Sequence, residues 1–192
     1  IEETLFFEFQ IKRAGLRELS LILPERFKDE QPEMPGFARR TVSPAGAGLV
    51  RMKLELADAF LGTLRLTLRH DQLLSAEKQS AAIPKIETGE VESQFVTIEN
   101  AGRDELVPVS QVGCEKVERG QAAYRKLHDL LGRDPGEAWS IAPGTKSPEL
   151  IYQSRPRQNV ETADARINLA EATLILDEQG GYRGQQIYHV DN

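Results

Sequence analysis

Cysteine is almost absent from this chain of 192 residues, and Cys114 is its only example. One thiol cannot form an internal disulfide, and it cannot supply a cysteine-based zinc site. A lone cysteine is typical of protein interiors, where it packs as a small apolar side chain. The sequence therefore predicts that Cys114 is buried, and it assigns the thiol no chemistry.

Long hydrophobic runs are also missing. No stretch approaches the ~18 apolar residues that a membrane-spanning helix requires, and no signal peptide opens the chain. The sequence starts at Ile1 without a methionine and stops soon after a strand-like segment at residues 187–190. We therefore expect a piece of a longer protein, with no membrane span in this piece and any targeting signal outside it.

Catalytic signatures are scarce as well. The three histidines, at positions 70, 128 and 189, show no metal-binding spacing, and no Gly-x-Ser-x-Gly motif is present. Residues 144–147 read Gly-Thr-Lys-Ser, but a phosphate-binding loop needs a further upstream glycine and a following helix, whereas Pro148 comes next. We therefore assign no catalytic, cofactor-binding or metal-binding residue, and the balance is against an enzyme.

Aromatic residues make up only 6% of the chain, and Trp139 is the single tryptophan. Together with Tyr152 it could form a stacking platform for a sugar on one face of a sheet. The competing interpretation, which the composition favours, places both rings in the core. Trp139 and Tyr152 are thus the candidate ligand-contact residues, and their exposure decides between the two interpretations.

A basic excess is the last absence, because 24 basic and 30 acidic residues give a formal net charge of −6. Nucleic acid attracts a positive surface, so no nucleic-acid partner is expected. The hydrophobic fraction of 40%, with glycine counted in addition, is typical of globular chains. A chain of this length buries enough surface to fold without disulfides or metals, so we expect a folded protein.

What the chain has in quantity is a period of two. In residues 50–56 and 63–69, apolar side chains occupy the even positions and charged or hydroxyl side chains the odd ones. This alternation is typical of strands with one wet face, and we predict an antiparallel hairpin that turns near Gly62. The alternative is one helix over residues 50–69, but it would leave Met52 and Leu66 off the apolar face. It would also place Gly62 mid-helix, at a cost of ~1 kcal/mol.

Further strand patterns fill most of the chain. Residues 4–11 and 16–23 flank a predicted turn at residues 12–15. A closing hairpin joins residues 165–177 to residues 182–190 through a glycine-rich turn. Shorter strands are predicted at residues 38–42, 83–86, 94–98, 105–112, 138–141 and 150–153.

One amphipathic helix is predicted at about residues 118–131, with Gly132 as its stop. The predicted fold is therefore mainly β, with antiparallel β-sandwich-like sheets and one short amphipathic helix. We predict a β-sandwich-like subdomain at residues 1–80 and a second β-rich subdomain with the helix at residues 81–192. The two can also pack as a single domain.

Several short motifs carry a family resemblance. Leu-Ile-Leu-Pro at residues 21–24, Ala-Ile-Pro at 82–84, Gly-Tyr-Arg-Gly at 181–184 and Tyr-His-Val-Asp-Asn at 188–192 set its cadence. With these, most of the chain resembles the β-rich modules of long, uncharacterised bacterial envelope proteins, in which strands close on a Leu-Pro step. The resemblance implies an extracytoplasmic location, which means periplasmic, secreted or anchored through flanking segments.

Two functions are compatible with these observations. The first is a non-catalytic scaffold or interaction module of a larger extracytoplasmic bacterial protein, whose partners are other proteins or flanking domains of the same chain. It predicts an interaction surface made from loops or an exposed sheet edge. The second is a carbohydrate-binding or carbohydrate-active domain, which predicts an exposed platform at Trp139 and Tyr152, or two carboxylates facing each other in a cleft.

Overall fold

The computed structural model describes residues 1–73, 77–100, 102, 104–157, 166–176 and 182–191. The chain divides into two units, Ile1–Pro156 and Arg157–Asn192. The subdomain boundary predicted at residues 80 and 81 lies inside the first unit. All described strand pairs are antiparallel, and the described residues contain one short α-helix, which confirms the predicted mainly-β fold.

The described elements of the first unit are mostly short strands around two very long ones. In chain order they are β1 (Glu2–Pro24), β2 (Phe37–Gly46), β3 (Leu49–Asp71), β4 (Gln79–Ser80), β5 (Lys85–Ile86), β6 (Gln94–Ile98), β7 (Asp104–Val112), β8 (Cys114–Lys116), α1 (Ala122–Leu131), β9 (Glu137–Ile141) and β10 (Glu149–Pro156). The second unit holds β11 (Arg166–Leu176) and β12 (Tyr182–Asp191). The closing hairpin is thereby confirmed, although its turn lies outside the described residues.

The predicted hairpin at residues 50–69 is wrong. Both segments belong to β3, which runs for 23 residues, and both pair with β1 rather than with each other. β1 also runs for 23 residues, straight through the turn predicted at residues 12–15. The sequence does carry a signal for this outcome. Its apolar positions stay even on both sides of Gly62, and one continuous strand requires that phase.

The register between β1 and β3 is the same in both halves of this two-stranded ribbon. Leu5 lies opposite Leu68 near one end, and Leu23 lies opposite Val50 near the other. Two irregularities around Leu16 lie between them, and the extra residues on β1 are offset by extra residues on β3. The odd apolar residues of β1 and the even ones of β3 therefore share one face along the whole ribbon.

The ribbon bends back on itself, because the two ends of β1 meet. Arg26, just after β1, donates from Nε and Nη2 to the Glu3 carboxylate at 2.5 and 2.9 Å. A straight strand of this length would separate its ends by roughly 75 Å. The bend lies in residues 12–17 of β1 and 57–63 of β3, which we call the elbow. There, a Cβ on Gly15 would lie 2.6 Å from the Cβ of Ala59, so the strands approach closely.

The apolar faces of the bent ribbon form one core, as expected for sandwich-like packing. Phe27 joins this core from the turn after β1 and packs on His70, with ring centroids 5.3 Å apart. β2 and β5 pair with the outer edges of β3 and β1 and widen the sheet to four strands. The core members without exposed surface are Leu19, Leu21, Leu23, Phe27, Met52, Leu54, Leu64, Leu66 and Leu68.

The remaining strands of the first unit form two smaller sheets, β6-β9-β8 and β4-β10-β7. Adjacent residues of β9 serve opposite faces, because Ala138 packs under α1 with Leu127, whereas Trp139 packs with Leu150 and Tyr152 of β10. The sheet around β9 therefore lies between the helix and the second sheet. α1 covers this sheet with the apolar side chains Ala123, Tyr124, Leu127 and Leu131.

The helix begins four residues later than predicted and ends as predicted. Gly120 has a φ of 92°, which is outside the right-handed helical region, so the helix cannot run through it. Gly132, with a φ of 69°, donates its N–H to the carbonyl of His128 at 2.8 Å and closes the last turn. Helix capping by glycine depends on one residue and its close neighbours, so the end of the helix could be predicted from the sequence.

Candidate functional site

Trp139 and Tyr152, the candidate sugar-stacking residues, are buried at 1% and 3% exposure. Trp139 lies inside the sheet–sheet core, and the Tyr152 hydroxyl accepts a hydrogen bond from Gln72 Nε2 at 2.9 Å. Burial is the main cause that raises the pKa of Tyr152. No ring face is open to a ligand, so this burial corrects the platform interpretation and places both rings in the core.

Cys114 is buried in the same core, as predicted. Its Sγ lies 3.5 Å from the carbonyl oxygen of Val112 and 3.6 Å from that of Glu149. Burial raises the pKa of the thiol, which lowers the fraction present as the reactive thiolate. Cys114 therefore acts as a packing residue.

The histidines occupy structural or exposed positions. His70 packs on Phe27, and its Nδ1 lies 2.8 Å from Glu30 Oε1. His128 lies exposed on the helix beside Asp134, at 3.8 Å, and His189 lies exposed on β12. Within the described part of the chain, no three metal-ligating side chains come together.

An open groove of about 330 Å³ lies beside the start of α1. Its apolar walls come from the helix and from the sheet of β6, β9 and β8, and they include Phe95 and Ile141. Three charged residues line it: Lys126 and Glu92 bind each other at 2.6 Å, and Glu115 is the third. The groove is therefore a largely apolar depression in which one acidic side chain, Glu115, lies beside a closed ion pair.

Ion pairs line the wet face of the four-stranded sheet, and Glu87 is the most strongly perturbed of their members. Its carboxylate accepts hydrogen bonds from Arg51 Nε at 2.7 Å and from Ser20 Oγ at 2.6 Å. The Arg51 hydrogen bond is the largest cause that lowers the pKa of Glu87 to about 2, followed by that of Ser20. These contacts pin the segment after β5 to β1 and β3.

Acid should release this contact. Because the pKa of Glu87 is lower in the folded state, its contribution to stability is present above the unfolded pKa and disappears as the pH falls toward about 2. We expect an NMR titration to show Arg51→Gln raising the pKa of Glu87 more than Ser20→Ala does. A Glu87 carboxyl that titrates at its ordinary pKa in the unaltered protein would contradict this geometry.

The edge of β7 is closed by a side chain. Asn100 Oδ1 accepts the N–H of Leu106 at 2.6 Å, and Asn100 Nδ2 donates to the carbonyl of the same residue at 3.1 Å. The asparagine amide thus imitates the backbone of a neighbouring strand. Pro108 in the same strand has no N–H to offer. Both features block the addition of a further strand to this edge.

The β11–β12 hairpin is different. Its sheet has two strands, and the side chains described at residues 169–173 and 184–189 are all exposed. Leu169, Ile187 and Tyr188 keep 49%, 41% and 52% of their surface exposed. Ile187 lies opposite Glu171 and Tyr188 lies opposite Ala170, so neighbouring residues place apolar groups on both faces. We call these three residues the hairpin surface.

The hairpin surface is the best candidate site in the described structure, and the sequence analysis did not single it out. The sequence does contain a signal, because the neighbouring residues Ile187 and Tyr188 place apolar side chains on opposite faces of one strand. Burial against a third layer is the usual reason for such a pattern. Which strand faces stay uncovered depends on tertiary packing, and the local pattern does not show it.

Comparisons with protein-family models, with curated proteins and with solved structures returned no match. Among the described residues, no helix has the length and apolar character needed to cross a membrane.

Proposed function

We propose that this protein is a non-catalytic scaffold or interaction module of a larger extracytoplasmic bacterial protein. The single observation that carries the proposal is the hairpin surface, with Leu169, Ile187 and Tyr188 exposed on a two-stranded sheet. The location outside the cytoplasm is supported by the resemblance to bacterial envelope modules.

A hairpin of two strands is marginally stable alone in water, and three strands or a packing partner are needed for independent stability. β11 and β12 pair along ten register positions, from Arg166 opposite Asp191 to Leu176 opposite Tyr182. Apolar side chains on both faces of such a long pair are expected where further β-structure adds beside it and packs over it. The occupant we propose is a strand-rich flanking segment of the same larger protein.

The protected edge of β7 supports the proposal that strands add at the hairpin. β7 is protected by the Asn100 amide and by Pro108, which is how proteins prevent unwanted strand addition. No comparable side-chain cap is described along β11 and β12. The protected edge of β7 and the exposed apolar hairpin of β11 and β12 are compatible with strand addition at the hairpin.

Carbohydrate binding by aromatic stacking is not supported, because the buried rings of Trp139 and Tyr152 offer no stacking surface.

Hydrogen exchange tests the proposal directly. We expect the amides of residues 184–189 to exchange fast in the 192-residue chain and at least ~100-fold more slowly in the complete encoded protein, where the flanking segment covers them. Ile187→Arg should abolish the added protection. Gln185→Arg should not, because Gln185 is the exposed neighbour on the same face of β12 and carries no apolar surface.

The encoding reading frame provides a second test. We expect a signal peptide upstream and further strand-rich units or a membrane span downstream. A start codon just before Ile1 and a stop codon after Asn192 would sink the proposal. Equal exchange of the hairpin amides in the short and complete proteins would also contradict it. Protection that rises with the concentration of the 192-residue chain would assign the hairpin surface to a second copy instead.

A further inference from the structure

The elbow of the long ribbon combines basic side chains with an exposed leucine. Lys12, Arg13 and Arg17 lie exposed on its β1 side, and Leu61 on its β3 side keeps 59% of its surface exposed. Asp58 is the one acidic residue in the two elbow segments, and Glu92 lies outside them within the electrostatic reach of Lys12. In a chain with a formal net charge of −6, the elbow is a local reversal of sign.

Outside the elbow, the lysines and arginines of β1 and β3 form ion pairs. Arg65 binds Glu8 at 3.0 Å, and Lys53 binds Glu18 at 2.7 Å. Among the residues that the structure describes, neither Arg13 nor Arg17 has an ion-pair partner. These two side chains therefore keep their full charge available to an external anion.

The position of the elbow makes this charge accessible. The ends of β1 meet at the contact between Arg26 and Glu3, so the elbow is the opposite, convex end of the folded ribbon. Each arm is about ten residues long, which places the elbow roughly 30 Å from that contact. Leu16 and Phe60 lie opposite each other there and pack partly buried against the core, so the elbow is anchored rather than loose.

We propose that the elbow binds the headgroup surface of an anionic phospholipid membrane. Arg13 and Arg17 contact lipid phosphates, and Leu61 enters the boundary between headgroups and acyl chains. A soluble anionic polymer would gain nothing from an exposed leucine, so the presence of Leu61 in the same elbow favours a lipid surface. The site shares no residue with the hairpin surface and does not depend on the function proposed above.

Vesicle sedimentation tests this contact with the intact chain. At low salt, we expect binding to vesicles of phosphatidylglycerol and phosphatidylcholine and none to vesicles of phosphatidylcholine alone. Arg13→Glu combined with Arg17→Glu should weaken binding by about twentyfold or more, since each cation near such a surface contributes about fivefold. Leu61→Ser should weaken it by a smaller factor. The matched control is Lys78→Glu with Lys146→Glu, which makes the same charge change at two other exposed lysines and should retain binding.

A tryptophan reporter keeps the test informative if a charge reversal disturbs folding. Leu61→Trp should shift its emission to the blue on mixing with anionic vesicles, over the constant signal of the buried Trp139. No binding to anionic vesicles at low salt would overturn the proposal, and so would equal loss in the control double variant. Binding to heparin or duplex DNA without any vesicle binding would overturn it in favour of a soluble polyanion.

Discussion

Leu66→Ala is expected to lower the free energy of unfolding by about 3 kcal/mol, within the usual cost of deleting a buried leucine side chain. Leu66 lies in the second half of β3, opposite Phe7, and has no exposed surface. The side chain is covered because the bent ribbon places both arms in one core with Phe27. Urea unfolding monitored by the fluorescence of Trp139 measures the change.

The control lies in the same strand. Leu61→Ala removes the same atoms from the elbow, where the side chain is 59% exposed, and should change the free energy of unfolding by less than about 1 kcal/mol. A cost below about 1 kcal/mol for Leu66→Ala would mean that this arm is not packed. The bent ribbon would then be abandoned.

Arg26→Ala is expected to lower the free energy of unfolding by about 2 kcal/mol, because it leaves the Glu3 carboxylate without its cation. Glu3 has 10% of its side chain exposed and also lies 3.3 Å from the N–H of Ala82. Arg26 donates further to the carbonyl of Ser80 at 2.9 Å. Arg26 thus connects the two ends of β1 with each other and with β4.

A surface pair of the same chemistry serves as control. Arg39 binds Glu55 on the wet face with 69% of its side chain exposed, so Arg39→Ala should have little measurable effect on unfolding. A double-mutant cycle of Arg26→Ala with Glu3→Gln isolates the coupling between the ends of β1. Equal effects at Arg26 and Arg39, with no coupling to Glu3, would contradict the closure of the ribbon.

The positions of many strands could be predicted from the local sequence. The strand predicted at residues 94–98 matches β6, and the one at residues 105–112 matches β7 within one residue. The closing hairpin and the helix end at Gly132 also agree. These features depend on alternation and on glycine conformation, which act between close sequence neighbours.

The central ribbon shows where such local reasoning failed. Glycines at positions 15 and 62 and an interruption in the apolar pattern suggested two turns, because strands are usually three to ten residues long. The interruption is the elbow, where Leu16 pairs with Phe60 between two register irregularities and most other side chains are exposed. The two strands that pair along this ribbon, β1 and β3, are separate segments of the chain, so a local pattern does not show that they pair.

By itself, the sequence determined which residues alternate, which face of each strand is apolar, where the helix stops and that one cysteine would be buried. Tertiary structure alone decided that the ribbon folds back through Arg26 and Glu3, that Trp139 and Tyr152 are covered, and that Leu61 and Ile187 are not. Alternation is set by the geometry of neighbouring peptide units. Whether a face is buried depends on packing against segments that lie dozens of residues away in the sequence, and a local pattern does not specify that packing.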